Sequence, residues 1–489
     1  MKNLNAWKMG GVVLVLCAAT AIAAHPQTFT TLVNFDGTNG GAPEYMSLIQ
    51  GIDGNLYGTT ASGGLNNGGT VFKMSPAGTL TTLYSFCAQA NCSDGDVPVA
   101  GLMLGVDGNF YGTTNYGGTA VSDPCEFGCG TVFKITPEGR LTTLYSFCSK
   151  TSCSDGAFPV APLIQAADGN LYGTTLNGGP AGGTDCPGGC GTVFKITVGG
   201  KLTTLHRFAP QKPSGKLPYA PLVQGTDGNF YGTTNTGGAS GGGGAGTVFE
   251  MTPEGVVTTL HSFGSFPDDG VYPYSGLIQG LDGTFYGTTY DGGLHGRGTV
   301  YGVDGFAYSF CSRPHCIDGA YPVGPVIQGT DGNFYGTTYE YSLNRFGTLF
   351  VLTGDSVLTT LYTFCTQMNC MDGSYPSGGL IQSTNGVFYG TTKSGGTDDL
   401  GTIFSLTMNL DPFVSFVRNP APVGQLFGIL GQGFNGTSSV SLNGTPATYM
   451  VKSGTLIEAT VPAGATTGYV TVTTPTGVLT SNVPFHVIP

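Results

Sequence analysis

The sequence predicts an all-β protein: a seven-bladed β-propeller closed by its own N-terminal strand, followed by an Ig-like β-sandwich. Three observations carry that expectation. The string Tyr-Gly-Thr-Thr begins at Tyr57, Tyr111, Tyr172, Tyr231, Tyr286, Tyr335 and Tyr389, with spacings of 54, 61, 59, 55, 49 and 54 residues. Behind each copy comes Gly-Thr-(Val/Ile/Leu)-(Phe/Tyr), starting at Gly69, Gly130, Gly191, Gly246, Gly298, Gly347 and Gly401. A third element, LTTLYSF at 80–86, recurs at 141–147, 202–208, 257–263 and 358–364, with degenerate copies at 29–35 and 304–310. Self-similarity at a fixed period is the signature of a repeat architecture.

Composition agrees. Of 489 residues only 46 are charged (17 Lys+Arg, 29 Asp+Glu), which is 9%, while 40% are hydrophobic and 11% aromatic. That is enough apolar material for a core, so disorder is a poor reading. Gly, Thr, Tyr and Phe dominate where a helical protein needs Ala, Glu and Lys. A formal charge of −12 argues against a nucleic-acid partner, whose phosphates demand clustered Lys and Arg.

The chain opens like a secretory signal over 1–24. Lys2 and Lys8 give a positive start, 12–16 an apolar stretch, and Ala21-Ile22-Ala23 a small-residue cleavage site. Cys17 invites a lipoprotein reading, but Leu16 precedes it where a small residue is usual. The apolar stretch is too short to span a bilayer, and no later segment does, so no transmembrane segment is expected in the mature chain.

Residues 25–407 hold repeats of about 50–60 residues. Each reads as four strands. In the first unit these fall near 46–51, 56–60, 70–75 and 80–86, with an Asp53-Gly54 hairpin turn between the first two. The Gly after each Tyr is expected to let neighbouring backbones approach closely. A lone fourth strand at 29–35 opens the array, and the last unit ends after its third strand at 402–406. The orphan therefore supplies what the end lacks, and the ring closes. An open solenoid would need atypical capping repeats.

Twelve cysteines fall into six local pairs: Cys87/Cys92, Cys148/Cys153, Cys311/Cys316, Cys365/Cys370, Cys125/Cys129 and Cys186/Cys190. Even parity with an export signal reads as disulfides. Zinc is the rival, but it needs four convergent ligands. Each bridge closes a loop of about six residues, worth about 2 kcal/mol in the chain-entropy model. They are expected to staple loops rather than hold the fold.

The unit DGN(L/F)YGTT…GG…GTVFK(I/M)TPxGxLTTLYSF, over residues 29–407, resembles the Gly-rich extracellular tandem repeat called GloVer, found in exported bacterial proteins with varied surface anchors. The resemblance implies a secreted or cell-surface location and no established reaction. After a linker at 408–411, the stretch 412–489 is similar to the Ig-like TIG (IPT) domain. It carries Pro420, Pro422, Gly428, Phe434, Val461-Pro462 and Thr467-Gly468-Tyr469 at the positions of short alternating strands. Such domains are implied to be spacers or adhesive modules.

Propeller topology puts first-to-second and third-to-fourth turns on one rim. Second-to-third and blade-to-blade loops lie on the other, with every cysteine pair and long insertion. Long loops on a rigid scaffold are where recognition usually lives, so this rim is the expected functional face. Asp36, Asp94, Asp155, Asp269, Asp318 and Asp372 recur there. They either ring a calcium ion, the one cofactor weighed, or fold their own turns. Hairpin residues Asp53, Asp107, Asp168, Asp227, Asp282, Asp331 and Asn385 read as turns. His206 and His261 occupy the slot of Tyr84 and read as ordinary outer-strand residues.

The repeat breaks in two adjacent units. One carries Tyr339, Glu340, Tyr341 and Arg345 where siblings have Gly-Gly; the other has Tyr290, Asp291, His295 and Arg297. The connection between them holds Arg313 and His315. Tyr290, Asp291, Arg297, Arg313, Tyr339, Glu340, Tyr341 and Arg345 are therefore the ligand-binding candidates. The arginines suit carboxylates and the tyrosines offer flat surfaces to a sugar ring or protein.

The expected function is a monomeric, non-enzymatic binding or adhesion protein for extracellular polysaccharide or protein. One alternative is a lyase on acidic polysaccharide using His295, His315 or Tyr341. Another is a structural spacer. No nucleophile elbow, P-loop, HExxH helix or dinucleotide fingerprint is present, and no metal site is assigned.

Overall fold

The computed structural model describes residues 27–120, 125–179, 186–210, 215–239, 244–340 and 345–488. The signal-like segment 1–24 and Tyr341 lie outside the described residues.

The repeat motif spells its own hydrogen bonds. In the first unit Ile49–Gln50, Leu56–Thr60, Thr70–Met74 and Leu80–Ser85 form one antiparallel sheet in chain order. Its second strand is buried along its whole length and its third nearly so, as expected of strands covered on both faces. The two threonines divide the work. Thr59 donates to Ala100 O in the next unit at 2.8 Å, while Thr60 shares a 2.8 Å hydroxyl bond with Thr70. Tyr57 donates across its hairpin to Asp53 at 2.9 Å, and its ring packs 4.1 Å from that of Phe110 in the following sheet.

Five more sheets repeat this connectivity, and the seventh takes its outer strand from the other end of the chain. Thr28–Asn34 pairs antiparallel with Thr402–Thr407, from Thr28 opposite Thr407 to Asn34 opposite Thr402. The register skips Leu32, as the first sheet skips Leu83. The copy at 29–35 is therefore a genuine fourth strand, bulge included.

Consecutive sheets meet through aromatic edges. Phe86 lies 5.1 Å from Phe133, Phe147 5.1 Å from Phe194, Phe208 5.5 Å from Phe249 and Phe263 5.0 Å from Tyr301. The series continues with Phe310–Phe350 at 5.3 Å, Phe364–Phe404 at 5.2 Å and Phe35–Phe72 at 5.6 Å. The last of these joins the end of the array to its beginning. Four-stranded antiparallel sheets stacked in this way make a repeat β-propeller.

Three expectations need correcting. The Gly after each Tyr makes room for a ring, not for a backbone. A Cβ on Gly112 would stand 2.5 Å from Phe133 Cζ, and one on Gly58 2.7 Å from Phe72 Cζ. Each first strand is also shorter than anticipated, two residues rather than about six. These short strands converge on a central channel of about 340 Å³, which Ser415, Phe416 and Val417 close at one end.

The third correction concerns the cysteines, which are not all loop staples. Cys87 and Cys92 stay partly exposed. Cys125 and Cys129, by contrast, belong to the core between the second and third sheets, and Cys186 and Cys190 to the core between the third and fourth. Cys129 and Cys190 have no solvent exposure at all. A bridge buried among Phe, Val and Leu packs as apolar filling, so these two disulfides contribute core volume as well as loop closure. They are structural residues that no external ligand can reach.

Ser415, Phe416 and Val417 open a C-terminal module of two four-stranded sheets. Ser415–Phe416, Leu426–Leu430, Leu456–Thr460 and Tyr449–Val451 form one; Thr445–Pro446, Ser439–Leu442, Val470–Thr474 and Gly477–Thr480 form the other. Phe427, Ile429 and Ile457 of the first share a buried core with Val440, Leu442 and Val472 of the second. The module sits on the tight-turn rim. Thr455 donates to Ile52 O at 2.7 Å, Arg418 to Ala167 O at 3.0 Å, and the Phe413 amide to Thr384 O at 3.1 Å.

Candidate functional site

With one mouth of the channel covered, the open end is the long-loop rim. Its geometry starts from a strained residue repeated in every unit. Ala42, Val97, Phe158, Leu217, Tyr272, Tyr321 and Tyr375 each precede a proline and each have φ between 47° and 58°. Side chains seldom adopt that left-handed conformation, and a β-branched one almost never does. Two backbone bonds hold it. The Tyr321 amide donates to Arg297 O at 2.8 Å, and its carbonyl accepts from the Tyr339 amide at 3.0 Å. Tyr375 is clamped likewise by Phe346 and Lys393, and Tyr272 by Ala245 and Tyr290. In the second and third units the clamp is made by a disulfide residue. Phe158 donates to Cys129 O and Leu217 to Cys190 O, each at 2.9 Å.

The proline after each clamp turns the chain inward, and the next residue faces the axis. Glu44, Val99, Val160, Tyr219, Tyr274, Val323 and Ser377 hold this position and line a depression of about 290 Å³, with Tyr45 beside them. One arc of the rim is aromatic. Ring centroids run from Tyr219 to Tyr274 at 5.1 Å, on to Tyr290 at 5.5 Å and to Tyr321 at 4.9 Å, the last pair stacked. Arg297 lies over Tyr321 at 5.1 Å, a cation–π contact. Tyr339 packs 5.2 Å from Tyr375. The opposite arc, with Val99, Val160 and Leu176, is aliphatic.

Charge is sparse and paired. Lys393 Nζ meets Glu44 at 2.7 Å. Burial alone would lower the lysine's pKa, but the bond and charge of Glu44 outweigh it and the net shift is upward. Burial raises the phenols of Tyr45, Tyr290 and Tyr339, so they stay neutral donors at ordinary pH. The depression thus offers flat apolar rings and hydroxyls, with few free charges.

The sequence-derived candidates are divided by the structure. Tyr290 packs behind Tyr274 of the depression's wall and continues through Tyr321 to Arg297, while Tyr339 packs on Tyr375; none of Tyr290, Tyr321, Arg297 and Tyr339 lines the depression itself. Asp291 pairs with Val271 in a two-residue strand and caps its own neighbour, Gly292, at 3.0 Å. Glu340 exchanges two backbone bonds with Ala320, at 3.0 and 3.2 Å. Arg313 points elsewhere, donating to Leu358 O on the outer strand of the following sheet at 2.7 Å. Arg345 is exposed at φ +67°. His295 and His315 are exposed on separate loops, His315 in the helical turn Pro314–Cys316.

Sequence reasoning missed Glu44, Tyr45, Tyr219, Tyr274, Tyr321, Tyr375 and Lys393. The available signal for Glu44, Tyr219, Tyr274, Tyr321 and Tyr375 was their place beside the connector proline.

The rim aspartates serve their own turns. Asp94 accepts from Tyr84 at 2.8 Å and from the Ala88 and Gln89 amides at 3.0 and 3.1 Å. Asp155, Asp318 and Asp372 repeat the pattern, and Asp36 caps Thr38 and Asn39. All six cysteine pairs, Cys186–Cys190 among them, are disulfide-bonded. The sulfurs of Cys125, Cys129, Cys148 and Cys153 gather within 4.8 Å of one another, but as two disulfides they present no thiolate to a metal. No helix among the described residues is long and apolar enough to cross a membrane.

The model of the Gloeobacter/Verrucomicrobia repeat matches residues 18–182, 125–301 and 240–472. No curated protein matches the chain. Among solved structures, a putative gluconolactonase is 11% identical with a TM-score of 0.39, over 79% of this chain and 94% of that one. A putative 6-phosphogluconolactonase from Bacteroides uniformis is 14% identical with a TM-score of 0.41, over 69% and 88%. An auxiliary nutrient binding protein from Bacteroides thetaiotaomicron is 11% identical with a TM-score of 0.40, over 78% and 76%. Likeness this distant carries no chemistry from those proteins to this one.

Proposed function

The chain belongs to the Gloeobacter/Verrucomicrobia repeat family, and from that premise we propose a secreted or cell-surface binding protein. Its seven-bladed propeller holds a polysaccharide in the tyrosine-lined depression of the long-loop rim, and its C-terminal Ig-like module of TIG type is a spacer and plug.

The observation that carries this reading is the contiguous row Tyr219, Tyr274, Tyr290 and Tyr321, with centroids 4.9 to 5.5 Å apart. Sugar rings present apolar faces ringed by hydroxyls, and aromatic side chains with neutral phenols complement both. Arg297 beside Tyr321 adds a fork for a uronate carboxylate. The strained, doubly clamped connectors support preorganisation, which reduces the entropy lost on binding. Occupation of the tight-turn rim by the C-terminal module leaves this mouth for a ligand. Six local disulfides and the signal-like leader accord with export.

Affinity electrophoresis against neutral and uronic-acid polysaccharides tests the reading. Retardation by at least one polymer, lost in the Tyr274→Ala/Tyr290→Ala double variant, is the expected result. Retardation that the double variant retains would remove the depression as the site. A protein partner captured through the same residues, with no polymer bound, would replace sugar by protein.

A further inference from the structure

A second pocket, separate from the tyrosine-lined depression, runs between the fourth and fifth sheets from the loops at 266–270 and 294 to a shortened hairpin at 302–305. In the first sheet the third and fourth strands pair Lys73 with Thr81 and then Met74 with Leu80. In the fifth sheet the equivalent ladder stops at Gly302 opposite Gly305. The Leu80 position therefore has no counterpart there, and the Met74 position is held by the smaller Val303, whose amide donates to Phe285 O at 2.9 Å. At the Met74 position the siblings are core, Met74, Ile135, Ile196 and Met251 being fully buried; at the Leu80 position they run from half-buried Leu80, Leu141 and Leu202 to Leu358 at 1% exposed. Removing one such side chain and shortening the other at an inter-sheet contact leaves a cavity unless the neighbours collapse into it.

They have not collapsed. A cavity of about 370 Å³ opens at this contact, walled by Val248 and Phe263 of the fourth sheet and by Tyr301 and Val303 of the fifth. That volume lies within the range of small-molecule sites. Phe266 and Leu294 stand at the cavity, 69% and 60% exposed, and gain burial if it fills. The connector carrying Phe266 is also unlike those after the first, second, fifth and sixth sheets, which are stapled by Cys87–Cys92, Cys148–Cys153, Cys311–Cys316 and Cys365–Cys370. Residues 263–269 contain no cysteine.

One end is polar. Four siblings at the His261 position are tyrosines that bond their rim aspartate, as Tyr84 bonds Asp94. His261 keeps that contact through Nε2, 3.0 and 3.2 Å from the two oxygens of Asp269. Asp268 lies beside it on the same wall, exposed. Two adjacent carboxylates at the end of an apolar cavity favour a positively charged head on an apolar body.

We propose that this cavity is a binding site for a small aromatic amine, its ring among Val248, Phe263, Tyr301 and Val303 and its ammonium at Asp268 and Asp269. The site is independent of the polysaccharide reading.

The test is isothermal titration of the full chain with tryptamine and with indole-3-propionate, which share a ring and differ in charge. Tryptamine is expected to bind saturably at one site, with the acid at least about tenfold weaker. Val303→Phe enlarges a half-buried wall residue into the space that its Met and Ile siblings fill; it should abolish binding. Asp268→Lys, on an exposed residue, keeps the test valid should that variant fail to fold, and should weaken tryptamine by at least about tenfold. The Tyr274→Ala/Tyr290→Ala variant should bind tryptamine as the parent does. No saturable tryptamine binding, equal binding of amine and acid, or binding that survives Val303→Phe would overturn the proposal.

Discussion

Gln50 and Thr384, 334 residues apart, share two hydrogen bonds: Nε2 donates to Thr384 Oγ1 at 2.8 Å, and Oε1 accepts from the Thr384 amide at 2.9 Å. The same latch recurs around the ring. Gln165 accepts from the Val106 amide, Gln224 from Ala167, Gln279 from Thr226, Gln328 from Leu281 and Gln382 from Thr330, at 2.9 to 3.3 Å. Six of the seven contacts between neighbouring sheets thus carry a glutamine reaching back to the hairpin of the sheet before. The first and last sheets are joined by the latch that joins five other pairs.

Gln50 is the most buried of these latches, 6% exposed, and Ser383 Oγ also donates to it at 3.0 Å. Gln50→Leu keeps the volume and strands the Thr384 amide and the Ser383 hydroxyl. A buried donor left unpaired costs about 1–3 kcal/mol, so denaturant unfolding should shift by that amount. A loss under about 0.5 kcal/mol would mean that water replaces the side chain.

The seventh contact has Leu104 where its siblings have glutamine, and there the C-terminal module docks. Leu104 shares a cluster with Leu430, and Ile52, Val417 and Leu456 pack against it. Leu456→Asp buries a charge in that cluster. The module's own core, formed by Phe427, Ile457 and Val472 among others, is separate. The expected outcome is undocking without unfolding: limited proteolysis cleaves near 408–412 in the variant and spares the parent.

Much of this architecture was legible in the sequence because each repeat element does one job that its residue types dictate. The Thr-Thr pair, the hairpin Asp and the orphan strand at 29–35 all sit where spacing put them. The functional rim was less legible. Tyr219 and Tyr274 fall next to a proline in a connector of varying length, so no string marks them. Arg313 looked like a partner of Arg297 because both break the pattern, yet its guanidinium caps Leu358 on the outer strand. Cys190 pairs as its spacing implied, but spacing says nothing of depth, and its place in the core came only with the packed sheets. The cavity at His261 was missed for a different reason: it arises from residues that are absent, and a shortened hairpin reads as drift until its neighbours are in place.

The hairpin bonds give stability a signed pH dependence. Burial would raise the carboxyls of Asp53, Asp107 and Asp168, but bonds from Asn55, Asn109 and Asn170 and from the paired tyrosines outweigh it and leave them below the ordinary value. A depressed folded pKa stabilises above the unfolded value of about 3.9 and is lost as pH falls through the folded one. On the alkaline side burial pushes Tyr145 and Tyr362 up to about 12, with Asp155 and Asp372 reinforcing the shift. Raised phenols stabilise fully below about pH 10 and lose that contribution as pH climbs through the folded value. Thermal unfolding should therefore hold a plateau between these limits. Tyrosinate absorbance of the buried phenols should appear in one step with loss of strand circular dichroism; gradual titration of those buried phenols in the folded chain would contradict the burial.

The N-terminal strand provides the sharpest comparison. Phe35 and Phe147 are both fully buried and make the same kind of edge contact, with Phe72 at 5.6 Å and Phe194 at 5.1 Å. Phe147 closes a strand that continues covalently from its own sheet. Phe35 ends a strand held to its sheet by pairing with Thr402–Thr407 and to the preceding sheet by Phe29 stacked 3.6 Å from Tyr362. Both alanine variants should cost about 3–5 kcal/mol. Only Phe35→Ala should also loosen the strand, since its detachment exposes the edge at 402–407 without breaking another hairpin. Amide exchange across 28–34 should rise in Phe35→Ala before global unfolding, followed by association through the bared edge. Equal protection of that strand in the two variants would mean that closure is as firm as any covalent hairpin, and that the ring has no weakest seam.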